Sequence, residues 1–295
     1  AWIDRLIAYE TKTPPHPTRR LMRFVTSEGR FGAFIDRILE RMFQIVVTSD
    51  LPPAYDIDVT FASMRSAYLW PPPELNDKVI QAFNDGCLFL TYVGHGFAEG
   101  FDTLRVGNAR YPILNLEDVP RVRCEGTPPA VMVLACTTAI FDLPARAGIG
   151  ESLMANPQGP IAYWGATRIC HPAANTLLGR SLAQKLAEEQ GRWRLGQILD
   201  RGRDAVLAPG ESDASLALIR TAIPFLAAGA DANRLAVEGA WMYTLLGDPA
   251  TNMAFPRADL EIRTAWETPT RLQVEVTGPL AEGTPLHVSL EVGRA

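Results

Sequence analysis

Cysteine and histidine are scarce, four of each among 295 residues, and the cysteines (Cys87, Cys124, Cys136, Cys170) stand apart with no Cys-x-x-Cys pair. That spacing disfavours a zinc site or a disulfide scaffold, so each thiol calls for an explanation in packing or in chemistry. Basic runs are equally lacking. No cluster exceeds Arg19-Arg20, and the formal net charge is −5 with a pI near 5.5. The chain thus has no electrostatic footprint for nucleic acid or an anionic membrane, and a polyanionic substrate is disfavoured. Long apolar runs are absent too: Val131 to Cys136 falls far short of the ~20 residues that span a bilayer, so no membrane insertion is expected. The opening residues place Trp2, Ile3, Leu6 and Ile7 at helical spacing, with no basic-then-apolar signal peptide. No Gly-x-Ser-x-Gly elbow exists, which sets aside an α/β-hydrolase.

What is present is an ordinary globular balance, 47% apolar and 21% charged residues. The length exceeds the ~100–200 residues expected of one domain, which points to a large core with an appendage. Near-continuous apolar runs at Leu21–Thr26, Phe43–Thr48, Cys87–Val93, Val131–Cys136 and Ile161–Thr167 read as strands buried on both faces of a parallel sheet. Helical patterns are expected at Gly32–Met42, Glu74–Asn84, Gly150–Ala155, Asn175–Glu189, Leu195–Leu207, Asp213–Leu226 and Asp231–Trp241. The alternation predicts an α/β sandwich with a mostly parallel sheet. Leu246-Gly247-Asp248-Pro249 reads as a chain reversal. Beyond it, period-two alternation in Leu260–Ile262, Leu272–Val276 and Leu286–Leu290 predicts strands of a β-sandwich, too few to close one.

In a parallel α/β sheet, ligands bind beyond the carboxyl ends of the strands. Those ends carry Ser27-Glu28-Gly29, Gly94-His95-Gly96 and Cys136-Thr137-Thr138. A carboxylate, an imidazole and a thiol are the parts of an activated-thiol catalyst: nucleophile, base and orienting acid. The glycines around His95 allow a substrate backbone to approach and leave the Gly96 N–H to face an oxyanion, with the Cys136 N–H as second donor. Glu151, in Gly150-Glu151-Ser152, has a purely structural reading at a helix start. Cys87 and Cys124 are assigned to packing, His16 and His287 to surface or packing, and Cys170, beside His171, is the internal rival for nucleophile.

The sequence resembles the gingipain-type cysteine peptidases of the caspase-like clan. The matching segments are Ile3-Asp4-Arg5 with Tyr9-Glu10, Thr26-Ser27-Glu28-Gly29, Asn84-Asp85-Gly86 leading into Tyr92-Val93-Gly94-His95-Gly96, Leu134-Ala135-Cys136-Thr137 with Phe141-Asp142, Glu151-Ser152-Leu153, and Leu246-Gly247-Asp248-Pro249. They keep their order over residues 1–256, the expected peptidase domain with its amino-terminal part missing. Residues 257–295 resemble the start of an immunoglobulin-like segment. The resemblance implies Cys136 as nucleophile, His95 as general base and Glu28 as the acid beside it. It implies Asp36 as the acid of a pocket for basic side chains, with His171 and Trp164 as further substrate-binding residues. Asp102, Asp142 and Glu99 are rivals for the Asp36 role. The sequence departs from the family where Phe97 and Phe101 flank Glu99 in place of a Trp, and where Cys170-His171 replaces an aromatic residue of the primary pocket.

The expected function is a cysteine endopeptidase acting on polypeptides, after basic residues, in a secreted or cell-envelope setting. No cofactor is required, and a structural calcium ion is what the resemblance permits. The alternatives are a caspase-like protein of maturation, secretion or signalling with weak or no proteolysis, and a peptide-binding module.

Overall fold

The computed structural model describes residues 2–12, 17–30, 33–52, 55–188, 193–207, 221, 231–255 and 261–278. The chain divides into two compact units, Ala1–Phe255 and Pro256–Ala295. In the first unit, alternate residues of the apolar runs point to opposite faces of one sheet. Met22, Phe24, Phe89, Met132 and Leu134 enter one core, while Val25, Leu90, Tyr92, Val131 and Val133 enter the other. A strand buried on both faces needs apolar side chains at every position, and this is why the runs are continuous rather than alternating.

The strands are β1 (Leu21–Ser27), β2 (Asp56–Ala62), β3 (Phe89–Val93), β8 (Ala130–Leu134), β9 (Ala162–Ala166) and β10 (Tyr243–Leu246), in the order β10-β9-β8-β3-β1-β2. All neighbours are parallel except β10, which runs antiparallel to β9. Two small hairpins, β4 (Gly96–Phe97) with β5 (Gly100–Phe101) and β6 (Thr103–Val106) with β7 (Ala109–Pro112), come after the end of β3. The helices are α1 (Trp2–Thr11), α2 (Ala33–Ile45), α3 (Leu75–Asp85), α4 (Ile149–Ala155), α5 (Pro172–Glu188), α6 (Leu195–Leu207) and α7 (Ala232–Met242). Residues of α1, α5, α6 and α7 share the first core, and α3 and α4 supply Leu75, Val79, Phe83, Ile149 and Leu153 to the second. The expected α/β sandwich is therefore the observed one.

Helix α1 is tied to distant parts of the unit. Arg5 donates to the carbonyls of Met154, Asn156 and Pro160, and the Trp2 indole donates to Ile161. Tyr9 Oη accepts from the Ala254 N–H at 2.9 Å, and Glu10 accepts from the Asn252 N–H at 2.7 Å.

Some elements differ from expectation. Phe43–Thr48 is no strand: α2 continues through Ile45 into a π-helical turn, Val46–Asp50. Phe43, Val46 and Val47 pack on the first core, and their spacing of three and four residues is that of a helix face. Strand β2, the hairpins and β10 are additional. Asp213–Leu226 falls almost entirely outside the described residues, as do Leu286–Leu290, His16 and His287. The second unit contributes one antiparallel hairpin, β11 (Glu261–Thr268) with β12 (Arg271–Thr277), which is all that the described residues form there. Glu151 accepts from the Gly148 N–H at 3.1 Å at the start of α4, in keeping with its structural reading.

Candidate active site

The sheet register brings the site together. Thr26 lies beside Val93, and Val93 beside Leu134, so three neighbouring parallel strands end level. His95 comes two residues beyond Val93, and Cys136 two beyond Leu134. Their loops touch through glycine: a Cβ on Gly96 would sit 2.8 Å from the Cys136 carbonyl oxygen and 2.6 Å from Thr138 Cγ2. A side chain at this position would push the two loops apart.

The His95 loop is fixed from beneath. Buried Tyr92 donates through its Oη to the His95 carbonyl at 2.7 Å, and the same oxygen accepts from the Asp102 N–H at 3.1 Å. Tyr92 also stacks on Phe101, with ring centroids 4.0 Å apart and planes inclined by 5°. Ser27 Oγ accepts from the His95 N–H at 3.4 Å. His95 Nε2 lies 2.6 Å from the Gly29 carbonyl. A carbonyl can only accept, so this contact places a proton on Nε2.

The Cys136 loop is held by Thr137 N–H donating to Arg168 O at 3.1 Å and Ala139 N–H to Ala166 O at 3.0 Å. Thr137 has φ 52°, the left-handed region that a β-branched residue avoids. Such strain costs on the order of 1–3 kcal/mol and persists where the surroundings over-determine it. Here it turns the chain sharply just after the thiol.

The Cys136 sulfur faces Cys170 from three directions. As a thiol it donates to the Cys170 carbonyl at 3.5 Å; as a thiolate it accepts from the Cys170 N–H at 3.4 Å and the Cys170 S–H at 3.7 Å. Cys170 is itself held, its sulfur accepting from Asn175 Nδ2 at 3.2 Å, while Asn175 Oδ1 accepts from Tyr243 Oη at 2.7 Å. The Cys170 S–H is the main cause that lowers the Cys136 thiol to about 6; partial burial opposes it, and the Cys170 N–H, the His95 charge and the residue's own N–H add to it. Cys170 moves the other way, held well above the usual thiol range by donating to Cys136 and by burial. The pair therefore loses its first proton from Cys136.

A cavity of about 180 Å³ opens beside both groups. Phe24, Val93, Met132 and Leu134 of the sheet form its apolar floor, α2 contributes Asp36, Glu40 and Phe43, and α5 contributes Asn175 and Arg180. Arg180 is buried and pairs with Asp50 at 3.2 Å.

Cys136, His95 and Asp36 thus line one cavity, and Glu28, His171 and Trp164 are not among its lining residues. The Glu28 carboxylate accepts from Ser63 Oγ at 2.8 Å, immediately before the Gly29 carbonyl that meets His95. His171 Nδ1 accepts from the Ala173 N–H at 3.2 Å at the start of α5, and burial lowers its pKa. Trp164 is buried and stacks on Tyr243, ring centroids 4.4 Å apart. The rival acids are each paired with an arginine: Asp102 with Arg30, Asp142 with Arg168 and Glu99 with Arg146. Cys87 and Cys124 pack in or against the second core, and burial raises both thiols, Cys124 to about 12. Among the described residues no group of three or more His, Cys, Asp or Glu side chains is arranged to hold a metal ion.

Sequence reasoning treated Cys170 as a competitor of Cys136, whereas the two sulfurs face each other across 34 residues, a separation with no local signal. Ser27 and Tyr92 stood inside the segments already singled out, but nothing in the sequence marks their bonds to His95.

A thiol and an imidazole thus stand just beyond the ends of adjacent parallel strands and line one cavity. The family model of peptidase family C25 matches residues 1–254, and the chain belongs to that family. Among solved structures, the chain is similar to the Arg-specific cysteine proteinase gingipain R, with 16% identity and a TM-score of 0.59 over 90% of this chain and 55% of that one. It is similar to the complex of the Porphyromonas gingivalis RgpB pro- and mature domains, with 16% identity and a TM-score of 0.56 over 90% of this chain and 56% of that one. A third structure, described only as a protease, matches with 16% identity and a TM-score of 0.53 over 90% of this chain and 55% of that one. These likenesses establish the fold, and the chain spans little more than half the length of each of these structures. No curated protein matches it.

Proposed function

We propose that this chain carries the catalytic unit of a cysteine endopeptidase that cleaves polypeptides after basic residues. The observation that carries the reading is the Cys136 sulfur, set among hydrogen-bond donors beside His95 at the mouth of a cavity. His95 Nδ1 takes the Cys136 thiol proton, the resulting thiolate attacks the scissile carbonyl carbon, and the N–H groups of Gly96 and Cys136 receive the oxyanion. Collapse breaks the C–N bond, the amine leaves with a proton from His95, and a thioester remains. His95 then takes a proton from water, whose oxygen attacks the thioester and releases the carboxylic acid and the thiol. With Nε2 held by Gly29, Nδ1 is the nitrogen that exchanges protons. Glu28 assists by anchoring, through Ser63, the loop whose carbonyl orients the ring.

The apolar floor suits the methylene stem of a Lys or Arg side chain, and Asp36 its charged tip. Chemistry of this kind needs no cofactor. The secreted or cell-envelope setting expected from the resemblance belongs to the same reading; among the described residues no helix is long and apolar enough to cross a membrane, and fractionation of producing cells tests it.

An irreversible thiol-directed peptide inhibitor should modify Cys136 selectively and lose that selectivity in His95→Ala; equal labelling of all four cysteines would overturn the proposal. A positional scanning library should enrich Arg or Lys at the cleaved position and lose that enrichment in Asp36→Asn. Absence of the enrichment would remove the Asp36 assignment.

A further inference from the structure

The second thiol at the site has a use that peptide hydrolysis does not require. Cys136 and Cys170 lie with their sulfurs 3.7 Å apart, and a disulfide needs them to close to about 2.05 Å. The loop between β9 and α5 that carries Cys170 reaches the surface at Ile169, which is 78% exposed. The other two thiols pack with the opposite core. Cys136 and Cys170 both line the cavity, Cys136 half-buried and Cys170 buried.

We propose that Cys136 and Cys170 form an oxidative modification site, in which hydroperoxides convert the nucleophile into a reversible disulfide with Cys170. The accessible thiolate attacks one oxygen of hydrogen peroxide; an S–O bond forms, the O–O bond breaks, and hydroxide leaves, giving the sulfenic acid of Cys136. The Cys170 sulfur then attacks the Cys136 sulfur. The S–S bond forms, the S–O bond breaks, and the departing hydroxide takes the Cys170 proton to leave as water. Two sulfurs are each oxidised by one electron, and one peroxide is reduced. An external dithiol reverses the bond by exchange.

Asymmetry between the two thiols gives the sequence its order. Cys136 ionises first and meets the oxidant, and Cys170, kept protonated by burial and by its neighbour, waits as the resolving thiol. Condensation stops the nucleophile short of the sulfinic and sulfonic acids, from which a dithiol cannot recover it. That the modification silences hydrolysis rests on the proposed function; the bond itself does not.

The reduced chain treated with a small excess of hydrogen peroxide should fall from four titratable thiols under denaturing conditions to two. Peptide mapping should find Cys136 linked to Cys170. Peptidase activity should disappear and return with dithiothreitol. Cys170→Ser should form no such link, accumulate sulfinic or sulfonic acid at Cys136, and stay inactive after dithiothreitol. If Cys170→Ser fails to fold, the mapping of the wild-type chain decides alone. Cys136 found as sulfinic acid in the wild type, or linked to any other thiol, would overturn the proposal. A reduced chain that hydrolyses no peptide yet forms the Cys136–Cys170 link would leave this site standing and remove the proposed function.

Discussion

Replacing Cys170 by alanine removes the S–H that donates to the Cys136 sulfur, the largest of the causes that lower the Cys136 thiol to about 6. The Cys170 N–H and the His95 charge remain, so the midpoint should rise toward, without reaching, the ~8.5 of an ordinary cysteine. At pH 7 a thiol of pKa about 6 is roughly nine-tenths ionised, and one near ~8.5 only a few per cent. A rate measured at a single pH would conceal this. Nucleophilicity rises with basicity with a Brønsted slope of ~0.4–0.5, which offsets much of the lost thiolate. The assay is therefore the full pH profile of inactivation by iodoacetamide, fitted for its midpoint. Cys170→Ser retains a donor and should stay nearer the wild type. An unchanged midpoint in Cys170→Ala would refute the reasoning. The same shift sets the sign for folding. A depressed thiol pKa adds stability that is fully present above the unfolded-state value and lost as the pH falls through about 6. Urea midpoints of wild type and Cys170→Ala should thus diverge as the pH is raised from about 6 to the ~8.5 of an ordinary thiol, above which the raised Cys170 thiol acts in the opposite sense.

Gly96→Ala puts a methyl group 2.8 Å from the Cys136 carbonyl; kcat should drop at least ~10²-fold, in line with misplacing catalytic groups by about 1 Å, with a much smaller change in thermal midpoint. Tyr92→Phe leaves the His95 carbonyl without the donor it has at 2.7 Å; a loss of ~1–3 kcal/mol in stability is expected by urea unfolding, with a lower kcat as the His95 loop loosens. Arg180→Ala removes the buried guanidinium that pairs with Asp50 at 3.2 Å, and breaking a buried pair should cost ~3–5 kcal/mol, which thermal unfolding would report.

The central strands were legible because being buried on both faces writes itself as continuous apolar runs, as in Ala130–Leu134. Edge strands write weaker signals. Strand β2, Asp-Ile-Asp-Val-Thr-Phe-Ala, alternates with its outer positions partly exposed, and β10 continues directly from α7 without a turn residue between them. Phe43–Thr48 misled because a run of apolar and β-branched residues satisfies strand and helix alike until the packing partner is known. At the site, Cys136 and His95 could be read from their positions just past the carboxyl ends of two apolar runs. Cys170 could not, because its place at the site depends on a loop beyond β9 folding back to bring its sulfur within 3.7 Å of that of Cys136.

The contacts of α1 also bear on biosynthesis. Its partners lie at Met154–Ile161 and at Asn252–Ala254, as much as 245 residues further along the chain. At ~5–20 residues per second, the ribosome needs roughly 12–50 s to deliver the last of them. Until then Tyr9 and Glu10 lack their bonds to Ala254 and Asn252, although Trp2 and Arg5 can already meet Met154–Ile161. Helix α1 thus completes its docking late, and a nascent chain halted before Asn252 would lack the bonds that Tyr9 and Glu10 make there.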